Sequence, residues 1–158
     1  MNSLRELDLR NCSITKLDED IFTNLPNLEK LFLSHNFIST LSMLTFSSLS
    51  KLSHLDISYN NAVSTGKNFV GMFDPFTLNE NGIYFEEGLF ANLHNLIFLD
   101  LSHTMLKQDS LRALLRLHEK VEQLSLCYTS ISLLAPSMFS RTGIKVLDLS
   151  GNPGLIPV

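Results

Sequence analysis

The chain has 158 residues, of which 44% are hydrophobic and 18% charged, and its formal net charge is −4. This composition can bury one core and sets aside a disordered chain, while the acidic balance gives no general attraction for nucleic acid or an anionic membrane. No apolar run approaches the ~20 residues of a membrane span, and the two cysteines are too few for a disulfide-rich scaffold.

Leucine recurs on a fixed ruler from the first residues onward. Leu4, Leu7 and Leu9 occupy the first, fourth and sixth places of a block whose ninth place is Cys12. Met1, Asn2 and Ser3 run directly into that block, with no leader-like apolar run before it. The next block is Leu28, Leu31 and Leu33 with Asn36, followed by Leu52, Leu55 and Ile57 with Asn60. After an interruption come Leu96, Leu99 and Leu101 with Thr104, then Val121, Leu124 and Leu126 with Thr129, then Ile144, Leu147 and Leu149 with Asn152.

The first residues of these six blocks are 4, 28, 52, 96, 121 and 144, so one gap spans nearly two periods. Inside it, Phe73, Phe76, Leu78, Asn81 and Ile83 fill the marked places if phenylalanine stands for leucine. We therefore read seven repeats, starting near 4, 28, 52, 73 (degenerate), 96, 121 and 144. The competing reading is a surface loop between six repeats. Pro75 favours that loop, because proline cannot donate to a strand ladder.

Each block reads as a short strand with alternate side chains on opposite faces. One repeat cannot hide its leucines alone. Stacked repeats can, as a parallel sheet with a continuous aliphatic core behind it. The returning half of each repeat has its own marker in Phe22, Phe46, Phe69, Phe90 and Phe139, expected to form a second apolar column. The repeat after Thr104 lacks that phenylalanine. There Leu111, Leu114, Leu115 and His118 follow helical spacing, with Asp109 or Ser110 as the expected N-cap.

The ninth place is where the chain leaves the strand and backbone groups turn inward. A side-chain amide there can bond to its own and the adjacent repeat, so Cys12, Asn36, Asn60, Asn81, Thr104, Thr129 and Asn152 are expected to form a ladder. Cys12 reads as a small buried substitute for asparagine. Cys127 reads as a free thiol near the concave rim. In the seven-repeat register the two cysteines lie five strand spacings apart, roughly 24 Å, too far for a disulfide.

The residues between the leucines face outward on the concave sheet. The fifth places are Asp8, Phe32, Asp56, Thr77, Asp100, Ser125 and Asp148; the eighth are Asn11, His35, Tyr59, Glu80, His103, Tyr128 and Gly151. The candidate partner contacts are Phe32, His35, Tyr59, Phe98, His103 and Tyr128, since exposed aromatics favour interfaces. No metal site or cofactor is expected. In this register His35 and His103 stand three strands apart, roughly 14 Å, whereas zinc ligands converge within about 2.0–2.3 Å of one point. The aspartates fall on separate strands, and no nucleophile elbow or phosphate loop occurs, so no catalytic residue is expected. Asn11-Cys12-Ser13 is the only Asn-x-Ser/Thr acceptor sequence, making Asn11 a candidate glycosylation site.

The block and its ninth-place asparagine match the pattern L-x-x-L-x-L-x-x-N/C-x-L. With a 24-residue period and a Phe-x-x-Leu return, the chain resembles the "typical" class of leucine-rich repeats found in extracellular proteins. Residues Leu28 to Ser50, with Asn36, Ile38, Leu41, Phe46 and Leu49, carry the likeness most fully. It is similar to ectodomains of the Toll-like receptor or chaoptin kind. That resemblance implies an α/β leucine-rich repeat solenoid, a horseshoe with a concave parallel sheet of about six or seven short strands. It further implies a single domain that is part of a longer parent, since the family's cysteine-rich caps are missing at both ends. The implied function is recognition of a protein ligand or co-receptor at a cell surface, in innate immunity or adhesion, with no enzymatic activity. The alternative is an intracellular scaffold or adaptor, such as a substrate-receptor subunit, built on the same repeats. Sequence leaves the oligomeric state open.

Overall fold

The structure, a computed structural model, describes residues 1–61 and 82–156. Six short strands form one parallel sheet: β1 (Glu6–Asp8), β2 (Lys30–Phe32), β4 (His54–Asp56), β6 (Phe98–Asp100), β7 (Gln123–Ser125) and β8 (Val146–Asp148), in that order. A second, two-stranded parallel sheet joins β3 (Thr40–Leu41) to β5 (Tyr84–Phe85) on the returning side. The fold class is therefore the expected leucine-rich repeat solenoid.

The register explains the leucine ruler. Leu7, Leu31, Leu55, Leu99, Leu124 and Leu147 are directly opposite one another along the sheet. Their flanking leucines point the same way, and Leu28, Leu31, Leu33, Leu52, Leu55, Ile57, Leu96, Leu99 and Leu101 are wholly buried. Burying each such side chain is worth about 1.5–3 kcal/mol relative to exposure, and it is available only with a neighbouring repeat in place. The return column exists as well. Phe22, Phe46 and Phe90 are buried, with the Phe22 and Phe46 rings stacked at 6.1 Å; Phe139 is partly buried at the edge of the core. Phe69 lies outside the described residues.

The long gap resolves differently from the seven-repeat reading. Residues 73–81, including Thr77, Glu80 and Asn81, lie outside the described residues. The described strands nevertheless leave no rung for that block, because β4 pairs directly with β6, Leu55 opposite Leu99. Beyond the strands, the Ile57 N–H donates to the Asp100 carbonyl at 2.8 Å and the Tyr59 N–H to the Ser102 carbonyl at 2.9 Å. Among the described residues the sheet therefore has six strands, and the expected seventh strand does not stand between β4 and β6. Ile83, read as the end of a degenerate block, instead opens the return segment. It bridges Leu106 and leads into Tyr84–Phe85 against Thr40–Leu41.

The expected helix is a 3-10 helix, Gln108–Arg116. Its three-residue period puts Leu111 and Leu114 on the buried side and turns Leu115 outward, and the extended C-cap residue Leu117 is buried as well. The predicted cap is corrected too: Lys107 is the N-cap, with no side-chain cap bond. Ser110 is occupied elsewhere. Its buried hydroxyl donates to the Ile83 carbonyl at 2.8 Å and accepts the Phe85 N–H at 2.9 Å, tying the helix to the preceding return segment.

The ninth-place ladder forms as an amide chain between repeats. Asn36 Nδ2 donates to the carbonyls of Leu9 and Leu33, while its Oδ1 accepts the N–H groups of Cys12 and Ile14. Asn60 bonds in the same way to Leu33, Ile57 and Ile38, and Asn152 to Leu126, Leu149, Thr129 and Ile131. Thr104 serves with one hydroxyl, which accepts the Asn60 N–H and faces the Ile57 carbonyl. Thr129 donates to the Leu126 carbonyl at 2.7 Å. Cys12 departs from expectation: it is exposed, and its thiol turns back to the Arg10 carbonyl at 3.4 Å. A ninth-place side chain is covered by the repeat before it, and β1 is the edge of the described sheet. Cys127 is a half-buried free thiol on the concave rim, and both cysteines are unpaired.

Candidate functional site: an aromatic ridge on the concave rim

The concave face is built from two residues per strand and one residue from the turn that follows. The turn is shaped by aspartate. Asp56 Oδ1 accepts both the N–H and the hydroxyl of Ser58, and Asp148 does the same with Ser150. Asp8 and Asp100 accept the N–H of Arg10 and Ser102. This Asp-x-Ser bond is an Asx-type turn, in which a short carboxylate holds the backbone two residues on. The fifth-place aspartates are therefore occupied in folding the turn.

The eighth-place residue takes a left-handed backbone on every described rung, both after an aspartate (Asp8, Asp56, Asp100, Asp148) and after Phe32 or Ser125. Asn11, His35, Tyr59, His103 and Tyr128 all have φ between 52° and 57°, and Gly151 has φ 69°. Asparagine and histidine tolerate this region comparatively well; for tyrosine it costs on the order of 1–3 kcal/mol. The same twist repeated on adjacent rungs brings the side chains into one stack.

His35 lies on Tyr59 with ring centroids 4.3 Å apart, Tyr59 on His103 at 4.3 Å, and His103 on Tyr128 at 4.7 Å. The interplanar angles are 10°, 6° and 14°, so all four rings are nearly parallel. Aromatic pairs contribute about 0.5–1.5 kcal/mol each beyond burial, which offsets the backbone strain. The ridge is edge-on to solvent. Tyr59 is 41% exposed and Tyr128 56% exposed, while His103, covered on both faces, is half-buried. Because β4 and β6 are neighbours, His35 and His103 are separated by Tyr59 alone, so their expected separation of three strands is corrected to two.

The other two candidate contacts lie on the strands, in separate rows. Phe32 shares a row with Asp8 and Asp56, and Phe98 with His54 and Gln123. Both are half-buried because neighbours cover them. The Arg10 guanidinium sits 5.3 Å above the Phe32 ring, and His54 stacks on Phe98 at 5.8 Å. Sequence reasoning missed His54 and Arg10 as parts of this face. Their signal was available: each stands at an outward place of its repeat, beside a phenylalanine one rung away.

Electrostatically the face is mixed. The Arg10 guanidinium, bonded at 2.6 Å, pulls the Asp8 carboxyl down to about 2. Hydrogen bonds from Ser150 likewise lower Asp148. Partial burial, reinforced by the charge of Lys30, lowers His54 and favours its neutral ring. Among the described residues, no group of three or more histidine, cysteine or acidic side chains is placed to hold a metal ion.

The geometry defines the class, a leucine-rich repeat solenoid with a concave parallel sheet. The "Leucine rich repeat" family model matches residues 2–61. The chain is similar to lumican from Mus musculus, 32% identical over 151 residues, covering 94% of this chain and 44% of lumican. It is also similar to Toll-like receptor 4 from Pongo pygmaeus, 36% identical over 90 residues, covering 51% of this chain and 10% of the receptor. Among solved structures, a TLR13–ssRNA13 complex superposes with a TM-score of 0.56 and 25% identity, covering 95% of this chain and 23% of that one. The SOBIR1 ectodomain of Arabidopsis thaliana, at 20% identity and a TM-score of 0.52, shares the fold, with 94% of this chain and 70% of that one covered. The chain thus spans less than half the length of lumican. The location that these likenesses support is extracellular or at a cell surface.

Proposed function

We propose that this chain is a protein-recognition module of a receptor or matrix ectodomain, and that it binds a protein ligand or co-receptor through its concave face. Phe32, His35, Tyr59, Phe98, His103 and Tyr128 are the contacts. The observation that carries the reading is the continuous ridge His35–Tyr59–His103–Tyr128. Rings fixed in a stack lose little side-chain freedom on binding, so their edges offer contact area at low entropic cost. The ring nitrogens and phenol oxygens along those edges supply directional hydrogen bonds.

The reading as a binding module and not an enzyme rests on how the polar groups are used. The carboxylates of Asp56, Asp100 and Asp148 hold their own turns. A net charge of −4 favours protein over nucleic acid as the partner.

The test is a binding screen of the protein against extracellular proteins, repeated with a Tyr59→Ser, Tyr128→Ser variant. A partner lost by tenfold or more in that variant, and retained by Arg112→Ser on the 3-10 helix, supports the concave face. A partner bound equally by both variants contradicts it.

A further inference from the structure

We propose that Asn11 carries an N-linked glycan, which stands at one end of the aromatic ridge and limits the partner's footprint there; this rests on the extracellular reading above. Asn11, Cys12 and Ser13 form an acceptor sequence, and all three are exposed. A glycan is added while the chain is unfolded, so the folded state must leave its asparagine outside. Asn11 meets that condition. Its backbone N–H is fixed to the Ser34 carbonyl at 3.2 Å, while none of the hydrogen bonds among the described residues uses its side-chain amide.

The contrast with the other asparagines of the turns is chemical. Asn36, Asn60 and Asn152 are buried with their amides fully engaged, and none is followed at the second place by serine or threonine. Asn11 occupies the eighth place instead, the outward-turned one, in the column of His35, Tyr59, His103 and Tyr128. It is the rung next to His35, because β1 pairs with β2. A sugar attached there stands beside the exposed His35 ring, at the border of the contact face.

The transfer uses a polyprenyl-diphosphate-linked oligosaccharide as co-reactant. Asn11 Nδ2 forms a bond to the anomeric carbon of the first sugar. The bond from that carbon to the diphosphate oxygen breaks, the lipid diphosphate leaves with the electron pair, and Nδ2 gives one proton to a base.

The natural full-length protein, expressed in its own cells and recovered from the medium or the cell surface, is treated with peptide N-glycosidase in H₂¹⁸O and the Asn11 peptide is weighed. We expect Asn11 to become ¹⁸O-labelled aspartate. We expect the label to vanish in Ser13→Gly, which suits the positive φ at that position, and to persist in Cys12→Ser. A bare Asn11 on protein recovered outside the cell overturns this inference and leaves the proposed function standing. Protein confined to the cytosol, with Asn11 bare, overturns both.

Discussion

Tyr128 lies flat against Gly151, the next rung of the eighth-place column. A Cβ built on Gly151 falls 2.6 Å from the Tyr128 ring, and Gly151 has φ 69°. Glycine at this place therefore lets the tyrosine ring close the end of the stack. Gly151→Ala should destabilise the protein by about 2 kcal/mol or more, from left-handed strain plus displacement of the ring. Adding Tyr128→Ala should recover part of that loss, because the clash is gone. Urea unfolding of the two single variants and the double variant measures the coupling; strictly additive losses would refute the contact.

The asparagine ladder predicts a large cost at a single buried amide. Asn60→Ala removes the acceptor of the Ile38 N–H and the donor to the Leu33 and Ile57 carbonyls. Each orphaned buried group costs about 1–3 kcal/mol, so with three orphaned a loss of roughly 3 kcal/mol or more is expected. Asn60→Thr should retain part of it, since Thr104 does similar work one rung on. Cys12→Ala, at an exposed ninth place, should change the unfolding midpoint little.

Ser110 makes a second inter-repeat tie of the same kind. Ser110→Ala leaves the Phe85 N–H and the Ile83 carbonyl without their partner. A loss of about 1–3 kcal/mol is expected. Amide hydrogen exchange should also quicken at Phe85 before it quickens in β6 or β7. Unchanged protection at Phe85 would mean that another group holds that segment.

His54 sets a pH dependence with a definite sign. Its folded pKa lies below the ordinary 6.5, first from burial and then from Lys30. The unfolded chain therefore takes up the proton first as pH falls. The contribution of His54 to stability is complete above 6.5, is lost as pH falls from there toward the folded value, and levels off below it. Urea midpoints measured from pH 8 to pH 5 should fall more for the parent than for His54→Gln. Parallel profiles would contradict the assignment.

Much of this architecture is legible in the sequence, for a physical reason. Leu31 and Leu55 can be buried only by an identical neighbour, so the period itself states the fold. The outward places are equally readable, which is why His35, Tyr59, His103 and Tyr128 stand out as one column. Their stacking is not readable from the period alone. It depends on β4 and β6 being adjacent, and Phe73, Phe76, Leu78 and Ile83 imitate a rung well enough to hide that. Pro75 carried the opposing signal. The role of the aspartates was also hidden, because the Asp56-to-Ser58 bond is a property of the turn and not of the strand. Leu115 misled for a similar reason, since a period of 3.6 predicts it buried and a period of three does not.

The ridge and the six-strand order meet in one pair of rings. Tyr59 and His103, 44 residues apart in the chain, are stacked at 4.3 Å. Nuclear Overhauser contacts between the Tyr59 ring protons and the His103 ring protons measure that adjacency directly. Strong cross-peaks are predicted between these rings. Their absence, with contacts from Tyr59 to residues 73–83 instead, would place a seventh strand between β4 and β6 and break the ridge.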